Sequence, residues 1–180
     1  MFKENQNFGI EKKELIIPEF EDPEELCITT FQGNRPAVSR DETPIATTGC
    51  ALCSALLMRQ GDVSVLFHVE NSGLTVRQRE SLKDLPKGSY VGKKIGNEVS
   101  NMVQDIIEML KNEGDIIVDA EDVKVETGGG RYDVLYRPGE NKIYVKIKGA
   151  DSENIIEVEG LNLEKEKIDK SPKAIKDYAG

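Results

Sequence analysis

Apolar and polar positions alternate along most of the chain in short strand-like runs, and one stretch has helical spacing instead. From Asn97 onward the apolar residues recur every three or four positions, at Val99, Met102, Val103, Ile106 and Leu110. Asn97 can cap the start of this helix, and Gly114 stands where a left-handed residue would end it. The pattern therefore predicts one main amphipathic helix.

Strand-like runs precede and follow the helix. Before it, residues 50–59 and 62–69 flank the turn sequence RQGD and form the clearest hairpin signal of the chain. After it come DIIVDA, VKVETGGGRYDVLYR, NKIYVKIKG and NIIEVEG, which are joined by turn sequences such as PGEN and GADSEN. One long helix among many strands predicts the α+β class, with the helix packed on an antiparallel-rich sheet.

The remaining segments are less regular. The sequence GNRPAVSRDETP has turn chemistry, and residues 70–96 are polar with several glycines, which predicts an exposed excursion with a helical turn near residues 76–82. A chain of 180 residues suits one core of ordinary size. We expect a lead-in with short strands over residues 1–44, a main domain over residues 45–160, and a charged tail over residues 161–180.

Charge and composition argue against several classes of function. A formal net charge of -9 without a clustered basic face argues against a nucleic-acid partner. No apolar run approaches the ~20 residues that cross a bilayer, so no membrane insertion is expected, and the first residues lack the apolar part of a secretory signal. Three cysteines are too few for a disulfide framework and favour a reducing compartment. The cytoplasm is the default expectation, and export as an effector without an ordinary signal peptide is the alternative.

The stretch TTGCALCSALLMRQGDVSVLFHVE, residues 47–70, carries the candidate chemistry. It contains Cys50, Cys53 and the single histidine of the chain, His68. A free thiol, with a pKa of ~8.5, is mostly protonated at neutral pH, and a neighbouring imidazole can take its proton. The stretch therefore suggests a Cys-His catalytic pair, and the alternative is a buried hairpin that happens to contain sulfur.

Strand register within the hairpin decides which cysteine meets the histidine. If the loop has three residues and ends at Gly61, His68 lies opposite Leu52, Cys50 is its diagonal neighbour, and Cys53 points to the other face. If the loop has only two residues and ends at the same glycine, His68 lies opposite Cys53 instead. The sequence leaves both registers open.

The surroundings of the two cysteines favour the first register. Gly49 precedes Cys50 and would let the backbone bend there, which places the thiol at a strand entrance beside open amides. Cys53 has the setting of a small core residue in the middle of a strand. In a reaction at Cys50, the backbone N–H groups of Gly49 and Cys50 would hold the developing oxyanion, and the imidazolium of His68 would protonate the leaving group.

No metal or cofactor is expected. Cys50 and Cys53 form a C-x-x-C, but residues three apart on one strand point to opposite faces and cannot easily share a metal ion. His68 and the remote Cys27 do not complete a set of four ligands. The run TGGG is not followed by a Lys-Ser/Thr pair or by a helix, so it is interpreted as a strand turn and not as a phosphate loop.

The order of these motifs resembles that of the CheD family of bacterial chemoreceptor glutamine deamidases. The resemblance rests on TTGCALCSALLMR and VLFHV, on the helix IGNEVSNMVQDIIEMLKNEG, and on ETGGGRYDVLYRPGENKIYVKIKG, and it covers roughly residues 45–160. The glycine before the cysteine is also similar to that of toxin deamidases of the cytotoxic necrotizing factor type. The resemblance implies a layered α/β/β fold and hydrolysis of protein glutamine side chains to glutamate, with Cys50 as nucleophile and His68 as general base.

The same resemblance implies a protein substrate bearing a reactive glutamine, with a regulatory protein partner as a further expectation. The chain departs from the family pattern in three places. Gly130 stands where an asparagine is common, the first of two usual helices is reduced to the segment after His68, and Pro44 stands where the family has its catalytic threonine. Thr43 and Thr47 are the nearest substitutes for that threonine, and a backbone carbonyl is a third way to orient His68.

Two further functions use the same residues. The first is a protein-binding module on the same fold whose catalytic residues have decayed, for which Pro44 is the best sequence evidence. The second is a cysteine protease or transglutaminase with the same Cys-His pair. These enzymes differ from a deamidase in the bond from which the acyl-enzyme forms or in the nucleophile that resolves it. No sequence motif identifies the substrate protein.

Overall fold

The structure is a computed structural model and describes residues 27–70, 72–97 and 101–165. The strands of these residues are β1 Ile28–Thr30, β2 Ala37–Ser39, β3 Ile45–Cys50, β4 Ser54–Gln60, β5 Val63–Val69, β6 Gly88–Gly96, β7 Ile116–Lys124, β8 Arg131–Arg137, β9 Lys142–Lys148 and β10 Glu153–Val158. The helices are α1 Val76–Ser81 and α2 Asn101–Gly114, and a short 3-10 helix, Leu82–Asp84, follows α1.

The strands form two sheets. One sheet has the order β1-β3-β8-β9-β10 and the other has the order β2-β5-β4-β6-β7; we name them the Cys50 sheet and the His68 sheet after a residue that each contains. The pairs β1/β3 and β6/β7 are parallel, and the other pairs are antiparallel. The predicted α+β class, rich in antiparallel strands, is confirmed. Neither helix of the described residues is long and apolar enough to cross a membrane.

Alternation along the strands produces two large hydrophobic cores and a small cluster of Ala46, Leu135 and Tyr144 on the outer face of the Cys50 sheet. Ile45, Leu57 and Leu66 point between the two sheets, together with Val134 and Val145. The odd residues of β5 and the even residues of β4 point to the opposite side of the His68 sheet, where they meet the helices. Each side chain that is fully buried in this way stabilises the fold by about 1.5–3 kcal/mol. Because the two sheets pack face to face, side chains from strands of different sheets meet in the space between the sheets.

The predicted helix is present, although its cap is not the one that the sequence indicated. Its inward side is formed by Val103, Ile106 and Leu110, which are fully buried. The left-handed residue at its end is Asp115, with φ 52°, and not Gly114. The described helix begins at Asn101. Residues 98–100, among them Val99, and the side chain of Met102 lie outside the described residues, and the Asn97 side chain bonds to the carbonyl oxygen of Ala51 and to the hydroxyl of Thr127.

The prediction of an exposed excursion over residues 70–96 is wrong for its second half. The helical turn is present as α1, but Gly88–Gly96 is β6, a central strand of the His68 sheet between β4 and β7. The strand contains adjacent lysines and glycines, which made it resemble a solvated loop. Lys93 is nevertheless buried, and its Nζ lies 2.6 Å from a carboxylate oxygen of Glu121 on β7. Pairing with an acidic neighbour is what allows a charged residue in this position.

The turn predicted around GNRPAVSRDETP is also partly wrong. Residues Ala37–Ser39 form β2, which pairs antiparallel with β5. The strand was missed because only three residues pair and because proline and charged residues surround it. Together with β1, which pairs with β3, it brings part of the predicted lead-in into both sheets.

Both predicted registers of the hairpin are wrong. Gln60 pairs with Val63 around a two-residue turn of Gly61 and Asp62, and His68 lies opposite Ala55. Gly61 has φ 56°, which is the left-handed value that a two-residue hairpin turn needs at its first position. The turn is thus centred further along the chain than either predicted loop, and neither cysteine faces His68 across the hairpin.

Candidate active site

The side chains of Thr47, Cys50 and His68 meet between the two sheets. The Thr47 hydroxyl oxygen is 2.9 Å from Nδ1 of His68, and the Cys50 sulfur is 3.7 Å from the same nitrogen. Thr47 and Cys50 belong to β3 in the Cys50 sheet, whereas His68 belongs to β5 in the His68 sheet. The structure therefore brings the predicted pair together through the packing of one sheet on the other.

A β-bulge places both β3 residues on the inward face. Thr47 pairs with Val134 and Cys50 pairs with Tyr132, so the register shifts by one residue between them. Residues three apart on a regular strand point to opposite faces, and an unbroken register would turn Cys50 outward. Gly49 has φ 73°, and a glycine in the left-handed region is the usual first residue of one class of bulge. The glycine before the cysteine thus sets the direction of the thiol.

The side chain of His68 points between the sheets because successive side chains of β5 alternate between the two faces of its sheet. Leu66 and His68 point between the sheets, while Phe67 packs on the helix side. The backbone carbonyl oxygen of His68 accepts a hydrogen bond of 2.8 Å from the side-chain amide of Gln78, which is fully buried. Gln78 also forms a capping box with Thr75 at the start of α1. The short helix thereby anchors the end of β5 that carries the histidine.

Only one nitrogen of the His68 ring is engaged. Thr47 and Cys50 both contact Nδ1, and Nε2 is buried without a hydrogen-bond partner among the described residues. The Thr47 hydroxyl and the Cys50 thiol therefore share one ring nitrogen, and they are the side chains that hydrogen-bond the ring among the described residues. For Nδ1 to accept a proton from the thiol, the neutral ring must carry its own proton on Nε2.

Burial keeps the Cys50 thiol protonated in this arrangement. Its side chain is fully buried, and desolvation, followed by the charges of Cys53 and Asp133, raises the pKa of the thiol to about 12. Hydrogen bonds from Tyr132 and Thr47 act in the opposite direction without reversing the shift. The resting form is a neutral thiol, so any reaction at Cys50 must remove its proton as the attack proceeds.

Burial also keeps the imidazole neutral. Desolvation lowers the pKa of His68, and the negative charge of Glu70 opposes this shift. A neutral imidazole is the form that can accept a proton as a general base. The pair is therefore a neutral thiol beside a neutral base, and not a preformed thiolate-imidazolium pair.

The other predicted site residues lie elsewhere or have other partners. Thr43 lies two residues before β3 begins, its backbone N–H bonds to the carboxylate of Asp41, and it makes no contact with His68 among the interactions of the described residues. Cys53 is half-buried just before β4 and not in the middle of a strand as predicted, and desolvation and the charge of Glu70 raise the pKa of its thiol. The backbone N–H of Gly49 donates to Oδ1 of Asp133 at 2.8 Å.

Three residues around the site were missed from the sequence. Tyr132 is fully buried, and its hydroxyl lies 2.8 Å from the carbonyl oxygen of Cys53 and 3.1 Å from that of Ile95. Asp133 is fully buried beside the bulge. The signal for Gln78 was present as the capping-box sequence TVRQ, but nothing in the sequence showed that β8 would lie against β3. Long-range strand pairing is what brings Tyr132 and Asp133 to the site.

A cleft of about 490 Å³ opens beside the cysteine. One wall is formed by Ala51 and Leu52, which follow Cys50 directly, and the side chain of Leu52 is 82% exposed. The opposite wall is the segment 124–130, which includes the predicted glycine turn. Within that turn, a Cβ atom at Gly130 would overlap the carbonyl oxygen of Lys148. An asparagine, which the resembling family commonly has there, would therefore require the end of β9 to move.

Comparison of the sequence with protein-family models and with curated proteins found no match. Among the described residues, no group of three or more histidine, cysteine, aspartate or glutamate side chains is arranged to hold a metal ion. The assignment of a function therefore depends on the geometry around Cys50 and His68.

Proposed function

We propose that this protein is a cysteine-dependent hydrolase that converts glutamine side chains of a substrate protein to glutamate and releases ammonia. The observation that carries the proposal is the convergence of the Thr47 hydroxyl and the Cys50 thiol on Nδ1 of His68, at 2.9 and 3.7 Å. A nucleophile, a base and a group that orients the base are the parts that such an acyl transfer needs. The helices packed on one of two stacked sheets are also compatible with the α/β/β layering of CheD-like deamidases.

The first half of the reaction follows from the neutral pair. The Cys50 sulfur attacks the carboxamide carbon of the substrate glutamine while Nδ1 of His68 takes the thiol proton, which forms a tetrahedral intermediate. The imidazolium then protonates the nitrogen of the leaving group, the carbon–nitrogen bond breaks, and ammonia departs. This leaves a thioester between Cys50 and the former glutamine side chain.

The second half uses water. His68 accepts a proton from a water molecule that attacks the thioester, and the sulfur leaves as its proton returns, so that the products are glutamate and the free thiol. The oxyanion of each step needs backbone donors, and the loss of one such donor typically costs ~10²–10³ in rate. Because the Gly49 N–H already bonds to Asp133, we assign this role to the N–H of Cys50.

The cleft beside Cys50 is the side from which we propose that the substrate approaches. A protein loop that carries a glutamine can rest on the exposed side chain of Leu52, while the carboxamide enters past Ala51 towards the sulfur. Because Cys50 is fully buried, the bend at these two residues must move when the substrate binds. The residues that choose the substrate protein are expected on the two walls of the cleft, since loops on a rigid scaffold carry most binding contacts.

The proposal is tested by measuring ammonia release from a panel of glutamine-containing proteins. Each protein is then analysed by mass spectrometry for conversion of a carboxamide to a carboxylate. We expect Cys50→Ser to abolish both signals and Cys53→Ser to retain most of them, because both cysteines border the same bend but only Cys50 contacts His68. Loss of activity in both variants with equal unfolding midpoints, or in Cys53→Ser alone, would overturn the assignment of the nucleophile.

A protein-binding module without catalysis is the second candidate. The observation that favours it is the complete burial of Cys50 together with the rise of its thiol pKa to about 12. Under this alternative Thr47, Cys50 and His68 form a polar contact that fixes how the sheets pack. The wild-type protein would then release no ammonia from any substrate of the panel, whereas Cys50→Ala and His68→Gln would change its stability.

The proposed location is a reducing compartment, with the cytoplasm as the default and a host cytosol as the alternative for an exported effector. The three cysteines are unpaired in the structure, as such a compartment would leave them. The proposal requires a protein substrate as a partner. It also admits a regulatory protein that binds near the cleft. No metal or cofactor takes part in any step.

A further inference from the structure

Asp133 is a fully buried carboxylate beside the proposed nucleophile. It lies on β8 opposite the bulge of β3, and its Oδ1 accepts the hydrogen bond from the Gly49 N–H at 2.8 Å. Its Oδ2 lies 2.7 Å from Nζ of Lys148, but it accepts no hydrogen bond of good geometry, so the lysine compensates it as a charge. The lysine side chain is 40% exposed, so the pair is buried only at its carboxylate end.

This carboxylate does not favour ionisation of the thiol. Burying a charged group is unfavourable unless partners compensate it, and the negative charge of Asp133 raises the pKa of Cys50. A neutral or apolar residue would avoid both effects. What the carboxylate contributes is an acceptor for the hydrogen bond from the Gly49 N–H. Gly49 is the residue at which the register of β3 shifts.

We propose that Asp133 is a positioning residue, which holds the Gly49 N–H and thereby fixes the bulge that turns Cys50 towards His68. Lys148 lies against the other carboxylate oxygen and compensates its charge. The inference rests on the proposed function only in that Cys50 is the proposed nucleophile. The bulge, the Gly49 bond and the ion pair are independent of any activity.

The groups that face the Cys50 thiol are few. Among the titratable groups, His68 faces it from β5, Cys53 from the bend and Tyr132 from β8, whereas the charge of Asp133 acts from the outer face of the same sheet, because successive residues of β8 alternate. Asp133 itself faces Lys146 directly across β8 and β9, although the Nζ of that lysine pairs with Glu153. Changing Asp133 or Lys148 therefore alters one charge near the thiol without removing any group that contacts the sulfur.

Two substitutions of Asp133 separate the bond from the charge. Asp133→Asn keeps an oxygen that can accept from Gly49 and removes the charge, whereas Asp133→Ala removes both. Amide hydrogen exchange reports directly on the Gly49 N–H. We expect this amide to stay protected in Asp133→Asn and to exchange at least tenfold faster in Asp133→Ala. Ammonia release should fall much further in the alanine variant than in the asparagine variant.

Thiol reactivity gives the second measurement, in a background with Cys27→Ser and Cys53→Ser. Because the thiolate is the reactive form, and a thiolate becomes less nucleophilic as its pKa falls, alkylation of Cys50 by iodoacetamide speeds up roughly three- to fourfold for each unit by which its pKa falls. Asp133→Asn should therefore react faster than its parent, and Lys148→Met, which leaves the carboxylate uncompensated, should react more slowly. Lys142→Met is the control, because Lys142 is similarly exposed at the other end of β9, pairs with Glu157, and should change nothing.

Equal protection of the Gly49 amide in both Asp133 variants would overturn the positioning role, and so would equal ammonia release from them when the wild-type protein is active. If Asp133→Ala does not fold, the asparagine variant alone tests the positioning role. Loss of Gly49 amide protection in Asp133→Asn, or an unchanged rate of Cys50 alkylation in it, would then overturn that role. If the wild-type protein releases no ammonia, the proposed function fails, while exchange and alkylation still decide the role of Asp133.

Discussion

The Thr47 hydroxyl oxygen lies 2.9 Å from Nδ1 of His68, although the two residues belong to different sheets. Because Nε2 has no hydrogen-bond partner among the described residues, the side-chain contacts of the imidazole are made at Nδ1, by this hydroxyl and by the Cys50 thiol. Thr47, which the sequence offered as one of three alternatives for the orienting role, thus contacts the imidazole directly, and its role stays a prediction. Thr43, the other threonine alternative, lies before the start of β3.

Replacing Thr47 by valine should lower ammonia release with little effect on folding. Valine has nearly the shape of threonine but leaves Nδ1 without the hydroxyl, so the ring can turn away from Cys50. General-base catalysis typically contributes 10²–10⁴ in rate, and we expect a loss of about 10²-fold. Thr47→Ser should restore most of the activity, and Thr43→Val should have no effect. An unchanged rate in Thr47→Val would assign the orienting role to another group.

The stability of the protein should depend on pH through its only histidine. Burial lowers the pKa of His68 below its ordinary value of 6.5, so the unfolded state binds more protons and stability rises with pH in that range. The contribution is fully present above the unfolded pKa and is lost as the pH falls from about 6.5 towards the folded pKa. Urea unfolding of the wild type should show this slope, and His68→Gln should lack it. A slope of the same size in both proteins would show that other groups cause it.

Gly49→Ala should lower ammonia release by more than its loss of folding stability explains. A Cβ atom at Gly49 would meet nothing within 4 Å, so the cost arises from the left-handed backbone, with φ 73°, and amounts to about 1–2 kcal/mol. Gly73→Ala is a matched control, because Gly73 has φ 92° and equally open space and does not line the cleft. Both variants should lose similar free energy of unfolding, measured with urea. Only Gly49→Ala should also lose ammonia release, because it alone disturbs the bulge beside Cys50.

Leu52→Ser should weaken the use of protein substrates. The Leu52 side chain is 82% exposed on the wall of the cleft, so its removal costs the folded protein little. Covering a leucine on binding is worth up to about 1.5–3 kcal/mol, which corresponds to a rise in KM of roughly tenfold or more. Ile117→Ser is the control, because Ile117 is 53% exposed at the opposite end of β7 from the cleft. Equal KM values for both variants would exclude Leu52 from the substrate contact.

Local patterns in the sequence were enough to determine much of the architecture. The spacing of Val103, Ile106 and Leu110 predicted α2, and alternating β-branched residues predicted β5, β8 and β9, because a helix or strand with one buried face repeats its apolar residues at a fixed period. The same local reasoning identified Cys50, His68 and the bend at Gly49. It failed at β6, where Lys93 is buried only because Glu121 lies beside it on another strand.

The tertiary structure alone decided how the cysteine and the histidine meet. The sequence treated them as neighbours in one hairpin, and both predicted registers were wrong, because β3 and β4 belong to different sheets and the turn is formed by Gly61 and Asp62. Contacts across two packed sheets join residues through the pairing order of all the strands, which no local period encodes. For the same reason the sequence could indicate a thiol and a base, but it could not show that their meeting place is dry enough to keep both of them neutral.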